Sequence, residues 1–372
     1  MIRNLLVVLV VLLFVSCEKK SQTPQEMILG NWVEVKKKTK GEEDLPPPPG
    51  NDTLGYEFKG NGICEFKHGY FDYEKFYNDT SSQRIVPYLG TETKYIIRHK
   101  KLNIYNPISK QWDEYRIKKI TPDSLVIDNG SEILFAKKQY DTLNAPDFDT
   151  VILSSSPCYG SCPVNNIMID ANGNVAYQGL FHVKNIGFYW GKIKAKEFNS
   201  IMKQFKSSDY IHLKSGYFAT HTDDRTVYVT FVKNGKIVKA ITDYGSDAPK
   251  EFVWAYEPLI FKAQNIKFTP QKSPQFLNTD FNKIVFPKQN LYLFESEFFY
   301  LLSKFRSGIE IDTQFEEKYE MYYYNKLVEK VKTDGRNYKF YLKDGTTHTI
   351  DIGFDFLTAN ENNKELNDEQ NN

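Results

Sequence analysis

The sequence predicts an α+β protein, with an N-terminal antiparallel β-meander or barrel followed by α+β modules that combine antiparallel sheet with amphipathic helices. Three observations point there. Aromatic residues make up 15% of the chain, with 25 Tyr and 27 Phe, and flat side chains suit a pleated surface. Short apolar runs separated by tight turns fill the first third. Two later segments carry apolar residues at helical spacing. A length of 372 residues allows two or three domains, each with its own core. Lys plus Arg number 48 against 47 Asp plus Glu, a formal charge of +1, so no nucleic-acid partner is expected.

The chain opens with Arg3 and an apolar stretch from Leu5 to Val15. As a helix this run rises about 16 Å, too short for a hydrocarbon core of about 30 Å, so it reads as a processing signal. Phe14-Val15-Ser16-Cys17 resembles a bacterial lipoprotein signal, although Phe14 stands where Leu is usual. The resemblance implies cleavage of residues 1–16 and acylation of Cys17, with membrane contact through that lipid anchor. Several acyl chains hold a protein stably where one alone is marginal. The expected address is the bacterial cell envelope, with the outer membrane preferred and the leaflet open. Residues 17–28 are polar and contain Pro24, and read as a tether.

Residues 29–138 form the first module. Trp32 to Val35 starts it, and Leu54–Phe58 and Ile63–Phe66 flank Lys59-Gly60-Asn61-Gly62, a hairpin signal. Further strands are expected at Tyr95–Ile97, Leu102–Tyr105, Tyr115–Ile120, Ser124–Ile127 and Glu132–Ala136, with Thr121-Pro122-Asp123 at one turn. Such repetition argues for a meander or barrel over a parallel sheet. From Gly30-Asn31-Trp32 to Asp123-Ser124-Leu125 the segment resembles lipocalin-like domains of bacterial lipoproteins. A barrel of this size holds a small apolar ligand or is packed solid, and the alternation does not choose. Residues 41–52, with Pro46 to Pro49 in a row, read as an exposed loop because Pro donates no ladder bond. Cys64 reads as a small buried hydrophobe, and Asp141 to Asp149 as a linker.

Residues 150–269 form the second, α+β module. Ser156-Pro157-Cys158-Tyr159-Gly160-Ser161-Cys162-Pro163 follows a short strand, and Ala171-Asn172-Gly173-Asn174 and Asn234-Gly235 mark hairpins. Phe198, Ile201, Met202 and Phe205 give a helix over Lys194–Phe205. A second helix starts near Pro249, and Pro258 is expected to bend or break it. Cys-x-Gly-x-Cys-Pro, the Asp-x-x-Gly hairpin with Tyr177 and Gly179, Tyr210, Thr222-Asp223 and Asp243-Tyr244 resemble a family of uncharacterised domains found mainly in Bacteroidota lipoproteins. That family has no assigned activity. Outside the cytoplasm Cys158 and Cys162 are expected to form a disulfide, since the intervening residues can turn tightly enough. Redox activity is the competing reading, and it usually asks for Cys-x-x-Cys at a helix N-terminus. A zinc site needs two more ligands, which the scattered Cys64 and six His do not offer. His221-Thr222-Asp223-Asp224-Arg225 is the most enzyme-like cluster, but polar runs between strands usually cap a turn.

Residues 281–356 form a C-terminal α+β module, with Phe298, Leu301, Leu302 and Phe305 on one helical face and strands at Tyr319–Tyr324, Leu327–Val331, Tyr338–Leu342 and Thr347–Ile352. Whether it stands alone or packs on the second module is open. Tyr322-Tyr323-Tyr324 reads as a strand with rings on both faces. Residues 357–372 offer almost nothing to bury and are expected to be disordered. The favoured function is a non-enzymatic, lipid-anchored binding or structural protein for an envelope protein, a glycan or a small apolar ligand, with no cofactor and no metal. The alternative is an envelope enzyme or thiol-dependent factor using Cys158-Cys162 or the His221–Asp223 region.

Overall fold

The computed structural model describes residues 22–36, 53–81, 84–278 and 282–361. Residues 1–16, expected to be a signal segment, Cys17 and the Pro46–Pro49 run lie outside the described residues.

A short helix α1 (Pro24–Met27) leads into eight strands: β1 (Gly30–Glu34), β2 (Gly55–Phe58), β3 (Ile63–Phe66), β4 (Glu92–Arg98), β5 (Lys101–Asn106), β6 (Gln111–Ile120), β7 (Ser124–Asp128) and β8 (Glu132–Lys138), with α2 (Tyr73–Asn78) between β3 and β4. Each strand pairs antiparallel with the next, and β1 pairs with β8, closing a barrel. This is the lipocalin-like fold. Period-2 alternation turns Trp32, Phe58, Cys64, Leu102, Ile104, Leu125, Ile127 and Phe135 into a common core. The β4–β5 turn is made by His99 and Lys100, both with positive φ, so its geometry comes without glycine.

The tether expectation fails at its end. Thr23 caps α1, its hydroxyl accepting from the Glu26 N–H at 3.3 Å while Glu26 accepts from the Thr23 N–H at 2.8 Å. Thr-Pro-x-Glu is a capping box with Pro at the first helical position, and Ile28 behind it is fully buried. The linker expectation fails as well. Phe148 is buried against Phe198, Phe205, Tyr210 and Phe231, and the Pro146 carbonyl accepts from the Tyr210 hydroxyl at 3.2 Å.

The second sheet contains β9 (Thr150–Ser155), β10 (Val164–Asp170), β11 (Asn174–Phe181), β12 (Gly187–Lys192), β13 (Gly216–Phe218), β14 (Thr226–Lys233), β15 (Lys236–Tyr244) and β16 (Phe268–Pro270). Its order is β13-β15-β14-β9-β10-β11-β12-β16, antiparallel except for β13 beside β15. The β10–β11 turn needs Gly173, at φ +79°, because a side chain there would run into the Ile193 carbonyl. Helices α3 (Ala195–Ser207) and α4 (Lys250–Phe261) cover one face, with Val151, Leu153, Ile167, Ile169, Val229 and Phe231 beneath them. Pro258 does not break α4, which runs on to Phe261. Packing of that helix against the sheet outweighs the one missing backbone bond.

The other face carries Ile152, Met168, Ala176, Phe188, Val232 and Ile237. It packs on α5 (Glu295–Ser307), a helix buried on nearly every side. Beyond α5 lies the third sheet: β17 (Lys283–Phe286), β18 (Leu291–Phe294), β19 (Ile309–Ile311), β20 (Tyr319–Tyr323), β21 (Val328–Thr333), β22 (Asn337–Leu342) and β23 (Thr347–Asp351), in the order β18-β17-β20-β21-β22-β23-β19. The C-terminal module therefore shares its core with the second module. Tyr323 is buried while Tyr322 and Tyr324 are exposed, as alternation along a strand requires.

Residues 357–361, expected to belong to a disordered tail, are ordered. Helix α6 (Phe356–Ala359) buries Phe356 and Leu357. Buried Asn360 accepts from the Ile237 N–H at 2.9 Å and donates to the Gly235 carbonyl at 3.2 Å, which ties it to the β14–β15 hairpin. Residues 362–372 lie outside the described residues.

Candidate functional site

The barrel is closed at one end and open at the other. At the closed end Trp32 donates from Nε1 to the Ile28 carbonyl at 2.5 Å. Lys137 Nζ donates to the Met27 carbonyl at 2.8 Å and stands 5.1 Å from the Trp32 ring centroid, so α1, Trp32 and Lys137 form a plug. Above it Phe58, Cys64, Leu102 and Phe135 fill the bore. Burial pushes the Cys64 thiol up to about 12, which makes it an inert small hydrophobe.

At the open end the inward positions are larger and more polar, and they leave a cavity of about 360 Å³ lined by Tyr56, Phe66, Tyr70, Ile104, Asp113 and Tyr115. The register places them. Tyr56 faces Phe66 across β2–β3, and Ile104 faces Asp113 across β5–β6. The Tyr56 and Phe66 rings stack at 5.1 Å, and Tyr70 follows at 5.3 Å from Phe66. Burial raises the phenols of Tyr56, Tyr70 and Tyr115 above their ordinary range, so they remain neutral hydrogen-bonding groups at neutral pH. Asn106 Nδ2 donates to Asp113 Oδ2 at 3.1 Å and orients that carboxyl at the rim. The chemistry is an apolar pocket with a few convergent polar groups, the usual form of a small-molecule site.

A second concavity of about 480 Å³ separates the barrel wall from α3 and α4. Glu65, on the outer side of β3 but buried, accepts from Gln204 Nε2 at 2.6 Å and Lys67 Nζ at 3.2 Å. Lys203 donates to Glu57 at 3.1 Å, and Gln264 clamps the Val86 and Tyr88 backbone. These contacts fasten the barrel to the second module.

Cys158 and Cys162 form the expected disulfide, with Cα atoms 5.8 Å apart. Tyr159 between them is 89% exposed, and its N–H donates to the Asp223 carbonyl at 2.9 Å. The thiol and acid–base candidates are thus neighbours at one end of the second sheet. His221 Nε2 lies 3.2 Å from Asp224 Oδ2. Asp223 has φ +74°, and Arg225 pairs with Glu257 on α4. Asp223 therefore supplies backbone to a tight turn, while Arg225 ties that turn to the helix. None of these side chains lines the two cavities above. Among the described residues, no group of three or more His, Cys, Asp or Glu side chains is placed to hold a metal ion.

The disulfide closes a ring of only a few residues, so replacing both cysteines by serine is expected to cost no more than about 2 kcal/mol. Urea unfolding of the Cys158→Ser, Cys162→Ser double variant checks this. A loss above about 4 kcal/mol would mean that the loop supports the core beneath it.

Fold and cavity define a lipocalin-like barrel with an open mouth, joined to an α+β body. A family model described as a domain of unknown function (DUF6438) matches residues 149–261, which span the second sheet from β9 to the end of α4. No curated protein matches the chain. Several residues that carry the sequence resemblance now have structural roles. Tyr177 is buried in the core. Gly179 sits where a side chain would strike the Asn185 carbonyl. Asp243, fully buried, accepts from the Tyr256 hydroxyl at 2.8 Å and the Ala248 N–H at 3.0 Å.

Tyr70 and Asp113 were not singled out from sequence. Asp113 extends the alternation that continues through Tyr115 and Ile117, a signal that was present. Tyr70 lies in the β3–β4 connection and carries no such signal.

Proposed function

We propose that this chain is a lipid-anchored cell-envelope protein, acylated at Cys17, whose barrel binds a small amphipathic molecule and performs no chemistry on it. The observation that carries this reading is the mouth cavity of about 360 Å³, with the four phenols of Tyr56, Tyr70, Tyr73 and Tyr115 and the Asp113 carboxylate around an apolar wall. The phenols and the carboxylate suit a ligand with an apolar body and one hydroxyl or amino group. Protein or glycan recognition elsewhere on the surface is compatible with this, but the larger cleft of about 480 Å³ is bridged by contacts that fasten the barrel to the second module. Among the described residues no helix is long and apolar enough to cross a membrane, so the anchor reading rests on the motif at Cys17.

The test is titration with the fluorescent apolar probe N-phenyl-1-naphthylamine. Saturable binding is expected in the parent chain, and an Ile104→Trp variant that fills the cavity should bind at least about tenfold more weakly with an unchanged circular dichroism spectrum. Equal binding by both chains would place the probe elsewhere and remove the reading. Intact mass of the protein from a bacterial envelope fraction checks the anchor separately, with loss of residues 1–16 and acylation of Cys17 expected.

A further inference from the structure

Six aromatic side chains line the mouth cavity of the barrel: Tyr56 on β2, Phe66 on β3, Tyr70 and Phe71 in the connection that follows, Tyr73 on α2 and Tyr115 on β6. Asp113 stands two residues before Tyr115, on the same face of β6. It is the one charged side chain among the described residues that line the cavity, which include no Lys, Arg or His. Asp113 is partly buried. Among the described residues its side chain takes one hydrogen bond, from the neutral amide Asn106 Nδ2 at 3.1 Å, and no ion pair. Its negative charge is therefore uncompensated in a concavity walled mainly by rings. Enclosing such a charge is costly unless a group of opposite sign meets it.

The rings ask for the same sign. An aromatic face is the negative side of a quadrupole, and a cation is attracted to it within about 6 Å of the centroid. Elsewhere the chain supplies that cation itself. At the closed end of this barrel Lys137 Nζ stands 5.1 Å from the Trp32 centroid, and Lys283 Nζ lies 5.0 Å from that of Phe294. Among the described residues no Lys or Arg stands over any of the six rings at the mouth.

We infer that the ligand of this cavity is an organic cation, an alkylammonium whose head group lies against the aromatic wall with Asp113 as its counter-charge. The inference rests on the barrel-binding reading above and narrows it to one sign of charge. A neutral alcohol would satisfy hydrogen bonds and leave Asp113 uncompensated. An anion would meet both the carboxylate and the negative ring faces. An ammonium matches both, as in the aromatic cages that recognise quaternary ammonium groups.

The experiment is calorimetric titration of the full chain with three amphiphiles that share one tail and differ in head group: octyltrimethylammonium, 1-octanol and octanoate. The ammonium is expected to bind at least about tenfold more tightly than the alcohol, and octanoate more weakly than either. Asp113→Asn keeps the size of the side chain and removes its charge, so it should weaken the ammonium several-fold and leave the alcohol unchanged. Tyr73 is 52% exposed, and Tyr73→Leu still reports if the first variant does not fold, with several-fold weaker ammonium binding and unchanged alcohol binding expected. Ile104→Trp should abolish both. Alcohol binding as tight as that of the ammonium, or ammonium binding unchanged in both Asp113→Asn and Tyr73→Leu, would overturn the inference. The barrel-binding reading would survive that result if Ile104→Trp still removed the alcohol. Ammonium binding that persists in Ile104→Trp would put the cation elsewhere and overturn the inference as well. Binding of none of the three would overturn it together with the reading on which it rests.

Discussion

Phe148→Ala is expected to destabilise the protein by about 3–5 kcal/mol, the range for removing a large buried ring. Phe148 is 2% exposed and touches four other rings, two on α3, one on β14 and Tyr210 beyond α3. The surrounding elements are held by the sheet and by α4, so the site cannot collapse into the space, and the cavity cost adds to the lost transfer energy. Urea unfolding followed by circular dichroism and by tyrosine fluorescence measures it. A change under about 1 kcal/mol would return the segment before β9 to the status of a linker.

The second large effect concerns the second module, which contains the segment matched by the family model. Expressed alone, residues 149–270 are expected to aggregate or to form a compact state without fixed tertiary packing. The reason is the bare face of the second sheet, where Ile152, Met168, Ala176, Phe188, Val232 and Ile237 normally lie against α5. Contiguous apolar patches larger than a few hundred Å² are rare on soluble monomers, and six such side chains on one sheet face make one. Near-UV circular dichroism and dye binding distinguish the outcomes. A monomeric fragment with native near-UV signal would show that the second sheet completes its fold without the C-terminal hundred residues, and that the shared core is a docking contact only.

What the sequence made legible was local. Asn172-Gly173, Asn234-Gly235 and the Lys59–Gly62 run specify turns through residues that tolerate positive φ, and each hairpin stands where its turn indicated. The spacing of Phe298, Leu301, Leu302 and Phe305 similarly gave α5. Two misreadings came from local signals given the wrong weight. Pro24 suggested an open tether, although Thr23 and Glu26 around it complete a cap. Residues 357–361 were read with the polar tail beyond, although Asp355 caps a turn whose Phe356 and Leu357 are buried. The remaining features were hidden because distance in sequence hides them. Tyr56 and Asp113 meet only when the barrel closes, and the cleft beside Glu65 exists only because Gln204, far along the chain, reaches back to it. Phe148 gave no pattern, since one aromatic among polar residues has no period.

Helix α5 also sets an order of assembly. Every strand of the barrel pairs with its neighbour in sequence, and β1 meets β8 to close it, so that unit is complete once Lys138 has emerged in a chain delivered N-terminus first. The second sheet has no such independence. Its lower face waits for α5, and the β14–β15 hairpin waits for Asn360, which meets Ile237 across 123 positions. Contacts of that span form slowly, and until they form a wide apolar surface stays uncovered. Vectorial emergence therefore divides this chain into an early-maturing head and a late-maturing body, and the interval between them is when a holding chaperone has most to protect.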